Sequence, residues 1–97
     1  MSDEAKNGAP TARTAPIARE IQQFLAGRLK TTVPTDQDLF ATGLVTSMFA
    51  MELVVHLEDA YAISIVGSDL RLANFRTVER MTELVTRLRD LAATPGG

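Results

Sequence analysis

Residues 38–59, DLFATGLVTSMFAMELVVHLED, decide the fold of this 97-residue chain. A loop containing Gly43 leads to Ser47, and from Ser47 onward apolar residues recur at the spacing of an amphipathic helix. The stretch carries acidic side chains and no lysine or arginine. Because the first N–H groups of a helix lack partners and its dipole is positive there, a phosphate on Ser47 would lie in a favourable field. The pattern indicates a serine that is covalently modified rather than one that acts as a catalytic nucleophile.

Apolar periodicity predicts three main helices. The first spans about residues 16–30, and the proline at its start suits a first helical turn. The second spans about residues 47–61. The last carries one apolar stripe from Val78 to Leu91, with most of its charges off that stripe.

Less regular segments join these helices. Residues 31–45 predict a long loop whose apolar members pack onto the helices. Ser68 and Asp69 predict one short helical turn, and Ile63 with Ile65 predicts a buried connection, because an isolated strand has nothing to pair with. We therefore expect an all-α fold, a small four-helix bundle of three main helices and one short helix, with a long loop between helices one and two.

Composition bounds the class of protein. We expect one domain over residues 16–92, between disordered tails at residues 1–15 and 93–97. The absence of cysteine excludes disulfides and thiolate chemistry and suits a reducing compartment. No apolar run is long enough to span a bilayer, and the N-terminus lacks the apolar region of a signal peptide, so we expect a cytoplasmic protein with no membrane partner.

The net charge of −2 is unevenly distributed. Residues 31–70 carry six acidic side chains and no lysine or arginine, whereas residues 1–30 and 71–97 each carry five basic and three acidic ones. This distribution argues against a nucleic-acid partner and favours a protein with a basic patch. A solvated acidic surface is the simpler alternative.

The second helix has apolar residues on two faces. At about 100° per residue, one face gathers the predicted core positions, Ala50, Leu53, Val54, Leu57 and Tyr61. The opposite face holds an apolar strip, defined here as Met48, Met51 and Val55. The acidic residues around the strip are Glu52, Glu58 and Asp59. An adaptable apolar strip ringed by carboxylates suggests a docking surface, unless the loop before the helix covers it.

Autonomous catalysis is not expected. His56 follows Ser47 by nine positions on the same helix, which places it roughly 13 Å along the axis and on the opposite side. The lysines are Lys6 and Lys30, and neither lies near Ser47 in sequence. One histidine and no cysteine offer no convincing metal site, so we expect neither catalytic residues nor a metal. A small serine hydrolase is therefore disfavoured.

The stretch resembles the acyl carrier protein family and related peptidyl carriers. The matching runs are GLVTSM at residues 43–48, DLF at 38–40 and ELV at 52–54, and the resemblance extends over about residues 17–91. It implies that a phosphopantetheinyl transferase attaches 4′-phosphopantetheine from coenzyme A to Ser47 through a phosphodiester. Two residues depart from the family pattern: Thr46 replaces the usual aspartate and Met48 the usual leucine. Thr46 can still cap the helix, but the lost charge alters recognition.

The resemblance also implies partners and a role. The second helix is then the recognition helix, with contacts from Thr46, Met48, Met51, Glu52, Val55, Glu58 and Asp59. We expect a monomeric, free-standing, non-enzymatic carrier that holds an acyl or aminoacyl group as a thioester. Its partners would be an acyltransferase or adenylating loading enzyme and polyketide synthase or tailoring enzymes. The expected setting is polyketide or other secondary-metabolite biosynthesis with an unusual extender or starter unit. The alternative is a non-modified helical adaptor that uses the same strip.

Overall fold

Three α-helices make up most of the described part of the chain in a computed structural model that describes residues 15–93. They are α1 (Ala15–Leu29), α2 (Ser47–Tyr61) and α3 (Val78–Ala93), and the 3-10 turns Gly67–Asp69 and Leu72–Phe75 lie between α2 and α3. No strand occurs in this part of the chain, so the all-α class is confirmed. None of its helices is long and apolar enough to cross a membrane.

The first and last helices begin and end at the limits of the described residues. Residues 1–14 and 94–97 of the expected tails lie outside the described residues. Helix α1 begins at Ala15 and α3 ends at Ala93, each one residue beyond the domain bounds expected from the sequence.

Two 3-10 turns stand where the sequence predicts one short helix. The backbone of Leu70 leaves the helical region, with φ −88° and ψ 72°, and this ends the first turn. The second turn is tied back to the first because the Asn74 side-chain amide donates to the Asp69 carbonyl at 2.8 Å. The segment is therefore helical, as predicted, but it forms two separate 3-10 turns instead of one short helix.

The core draws on all three helices and on both connections. Its fully buried large side chains include Phe75, Ile21, Leu25, Leu39, Leu53, Leu57, Ile65, Met81 and Leu84. The predicted core face of α2 is buried at Ala50, Leu53, Val54 and Leu57, and Tyr61 at its end is half-buried. Ile63 and Ile65 are buried, which confirms a buried connection after α2.

The long loop between α1 and α2 is fixed at several points. Val33, Leu39 and Val45 are buried, and Leu39 N–H donates to the Arg76 carbonyl at 2.8 Å. Val45 N–H donates to the Leu39 carbonyl at 3.0 Å, which closes the last part of the loop on itself. Because buried apolar residues and paired backbone groups recur along it, this loop delivers α2 at a defined position.

Tyr61 links the three helices. At the end of α2, its hydroxyl donates to Glu20 Oε1 on α1 at 2.6 Å, and the guanidinium of Arg89 on α3 lies 5.8 Å from its ring centroid. Burial, and next the hydrogen bond to Glu20, raise the pKa of Tyr61, so the phenol stays protonated at neutral pH. Tyr61 therefore connects the three helices at the end of α2 that is opposite Ser47.

Replacing Tyr61 with Phe should lower the free energy of unfolding by about 1 kcal/mol, because a hydrogen bond to a charged acceptor is lost while Glu20 regains water. Chemical denaturation at neutral pH measures this value. In a Glu20→Ala background the same change should cost much less. An equal cost in both backgrounds would show that the hydroxyl does not act through Glu20.

Candidate functional site

Ser47 is the first residue of α2 and is exposed. The loop before it turns at Gly43, whose φ of +78° favours glycine, and is then anchored by buried Val45. Among residues 15–93, nothing forms a hydrogen bond with the Ser47 hydroxyl. The fold thus places an accessible hydroxyl, without a hydrogen-bond partner among the described residues, at the start of a 15-residue helix.

Thr46 caps this helix. Its backbone is extended, its Oγ1 accepts from Phe49 N–H at 3.1 Å, and its carbonyl accepts from Ala50 N–H at 2.9 Å. The hydrogen bonds described for residues 15–93 do not use the N–H groups of Ser47 and Met48. Because those groups lie at the positive end of the helix dipole, the site is suited to an anion bonded to Ser47.

The apolar strip is open to solvent. Met48, Met51 and Val55 are 79%, 57% and 62% exposed. The alternative that the preceding loop covers these side chains is therefore wrong, because its apolar residues Leu39 and Val45 turn into the core instead. The strip is an exposed apolar feature on the helix that begins with Ser47.

The acidic residues around the strip are partly engaged within the chain. The Glu52 carboxylate forms a short ion pair with Arg28 of α1. Glu58 is half-buried, and its Oε2 accepts from Ile65 N–H at 2.8 Å. Asp59 is exposed near the far end of α2. Two of the three carboxylates thus also serve the fold.

An aromatic cluster on the other side of α2 was missed by sequence reasoning. The Phe24 ring of α1 stacks on His56 with centroids 3.7 Å apart and on Phe49 with centroids 6.5 Å apart. The Arg28 guanidinium lies 5.6 Å from the Phe24 centroid and 5.1 Å from the Phe49 centroid. Phe49 falls between the two apolar faces of α2. This position was the one feature of the sequence that could have indicated a contact between the side of α2 and another helix.

His56 is part of this cluster and does not face Ser47. Burial against Phe24 lowers the pKa of His56, the Asp59 carboxylate raises it, and Arg28 lowers it again. His56 also follows Ser47 by nine positions on the helix, roughly 13 Å along the axis. The two side chains therefore cannot form a nucleophile and base pair. The described residues also contain no group of histidine and acidic side chains suited to a metal ion.

A shallow groove runs beside the strip, between α2 and the 3-10 turns. The side chains that line it are Ala50, Met51, Val54, Leu70, Arg71, Leu72 and Phe75. Leu70 and Leu72 are 45% and 49% exposed. This groove could not be predicted from the sequence, because the exposure of these leucines follows from the break at Leu70.

Comparison with known proteins identifies the family to which this chain is similar. A family model described as a phosphopantetheine attachment site matches residues 19–85. The D-alanyl carrier protein of Streptococcus sanguinis is 36% identical over 55 residues, which are 57% of this chain and 70% of that relative. The D-alanyl carrier protein of Lactococcus lactis is 34% identical over the same shares of the two chains.

Replacing Thr46 with Ala should lower the free energy of unfolding by about 1 kcal/mol, because Phe49 N–H loses its cap while little packing is lost at an exposed residue. Chemical denaturation measures this change in the free energy of unfolding. Thr46→Ser keeps the hydroxyl and should remain within about 0.5 kcal/mol of the parent chain. Equal losses in both variants would contradict a capping role.

The lowered pKa of His56 gives the stability of the fold a pH dependence. The unfolded chain takes up the proton more readily, so this contribution is complete above the ordinary value of 6.5 and declines as the pH falls below it. Thermal unfolding of the parent chain should therefore shift to lower temperature between pH 7.5 and pH 5.5 by more than that of His56→Phe, which keeps the stacking but cannot titrate. Parallel shifts in the two proteins would contradict this assignment.

Proposed function

Because the chain belongs to the family of carrier proteins with a phosphopantetheine attachment site, we propose that its covalently bound 4′-phosphopantetheine is attached to Ser47. The observation that carries the proposal is the exposed, uncommitted hydroxyl at the first residue of α2. The other serines among residues 15–93 are Ser64, in the connection after α2, and Ser68, in a 3-10 turn. Neither begins an α-helix.

The residues around Ser47 fit a phosphodiester. The anion would lie at the positive end of α2, near N–H groups that the Thr46 cap leaves unused. No side chain of α2 brings a carboxylate into the first turn, so repulsion is small. The attachment enzyme must supply the base that takes the Ser47 proton, since His56 is stacked on Phe24.

The cargo follows from the bound group and from the relatives. When attached, 4′-phosphopantetheine supplies a terminal thiol that holds an acyl or aminoacyl unit as a thioester. The relatives are named for a D-alanyl unit, which is aminoacyl, and this favours the aminoacyl form. A polyketide or other secondary-metabolite setting gains no support from these relatives and stays a prediction.

The partners are separate enzymes that must reach Ser47. They comprise a phosphopantetheinyl transferase and a loading enzyme, either an acyltransferase or an adenylating enzyme. We assign their contacts to Thr46 and to the apolar strip, with Glu52, Glu58 and Asp59 at its edges. Catalysis belongs to those enzymes. The carrier domain is taken as residues 16–92, which enclose the matched residues 19–85.

Incubation of the full chain with coenzyme A and a broad-specificity phosphopantetheinyl transferase should add one phosphopantetheine, detected by intact mass. Ser47→Ala should abolish the gain because the accepting oxygen is removed. The matched controls Ser64→Ala and Ser68→Ala should be modified as fast as the parent chain. No gain in the parent chain, or an undiminished gain in Ser47→Ala, would refute the assignment.

A further inference from the structure

The surface next to Ser47 combines apolar side chains with one cation. The apolar strip forms its near side, and Leu70, Arg71 and Leu72 form its far side across the shallow groove. Met51 lies one helical turn after Ser47 and lines the groove together with Arg71. An enzyme that reaches the Ser47 hydroxyl from this side must therefore cover both.

The negative charges of α2 lie away from this surface or are already engaged. Its first turn contains no acidic residue. Glu52 is paired with Arg28 of α1, and Glu58 accepts from the backbone of Ile65. Asp59 follows Ser47 by twelve residues, which is about 18 Å along the helix axis.

Arg71 differs from the other arginines that follow α2. Arg76 pairs with Asp38, Arg80 with Glu83 and Arg87 with Asp69, and Arg89 lies over Tyr61. Within residues 15–93, no carboxylate is paired with Arg71, and the residue is exposed. Its charge is available to a second protein.

We propose that the phosphopantetheinyl transferase contacts this carrier through an apolar surface that bears a carboxylate facing Arg71. The proposal rests on Ser47 as the attachment residue. The exposed thioethers of Met48 and Met51 adapt to an apolar surface, and burying them supplies the attraction. A carboxylate opposite Arg71 fixes the orientation, whereas a basic patch there would meet a like charge.

The test is the kinetics of phosphopantetheine attachment, with coenzyme A and the broad-specificity transferase as probes. Arg71→Glu should lower kcat/KM by about tenfold, mainly through KM, because a favourable charge pair becomes a repulsive one. Arg71→Lys keeps the charge and should stay within about threefold of the parent chain. The matched control Arg19→Glu makes the same charge change on an exposed residue of α1 and should stay within about twofold. Met51→Glu should also lower kcat/KM, and thermal unfolding verifies that each variant is folded.

The outcomes separate this inference from the proposed function. If the parent chain is modified on Ser47 but Arg71→Glu reacts as fast or faster, the carboxylate contact is wrong and Ser47 remains the attachment residue. Equal losses in Arg71→Glu and Arg19→Glu would also overturn it, since net charge alone would then explain both. If the parent chain gains no phosphopantetheine, the assignment of Ser47 itself fails.

Discussion

The backbone hydrogen bond from Leu39 N–H to the Arg76 carbonyl is the constraint on which the position of Ser47 depends. It joins the middle of the loop after α1 to the residue that follows the second 3-10 turn, and the buried Leu39 side chain fills the core at the same point. Val45 N–H then bonds to the Leu39 carbonyl, only two residues before Ser47. Through these two bonds the start of α2 is placed by the segment that leads into α3, which is distant in sequence. A partner enzyme thus meets a serine whose setting is determined by the whole bundle.

The uneven distribution of charge along the sequence has a structural explanation. Among residues 15–93, three ion pairs join the acidic middle to the basic flanks: Arg28 with Glu52, Arg76 with Asp38 and Arg87 with Asp69. Each contributes at most about 1 kcal/mol, and in each pair the carboxylate is already engaged by an arginine of the same chain. The sequence-based expectation of a partner with a basic patch counted these charges as available. The structure uses them to hold loops and helices together.

The elements set by local periodicity could be predicted from the sequence. Helix α2 has the predicted bounds, its core face is buried at four of the five predicted positions and its apolar strip is exposed, because helical geometry alone determines these faces. The remaining features depend on contacts between distant segments. The stacking of Phe24 on His56 requires the angle between α1 and α2, and the groove beside Arg71 requires the chain to break at Leu70. No spacing rule encodes either, so both became visible only in the structure.

The position of Tyr61 makes it an intrinsic fluorescent probe of the bundle. The chain contains no tryptophan and a single tyrosine, so its tyrosine fluorescence comes from one ring. That ring contacts Glu20 of α1 and Arg89 of α3 while belonging to α2. Separation of any of these helices changes the surroundings of this tyrosine. Internal rearrangements can therefore be followed in the unlabelled protein by emission from Tyr61, at the opposite end of α2 from Ser47.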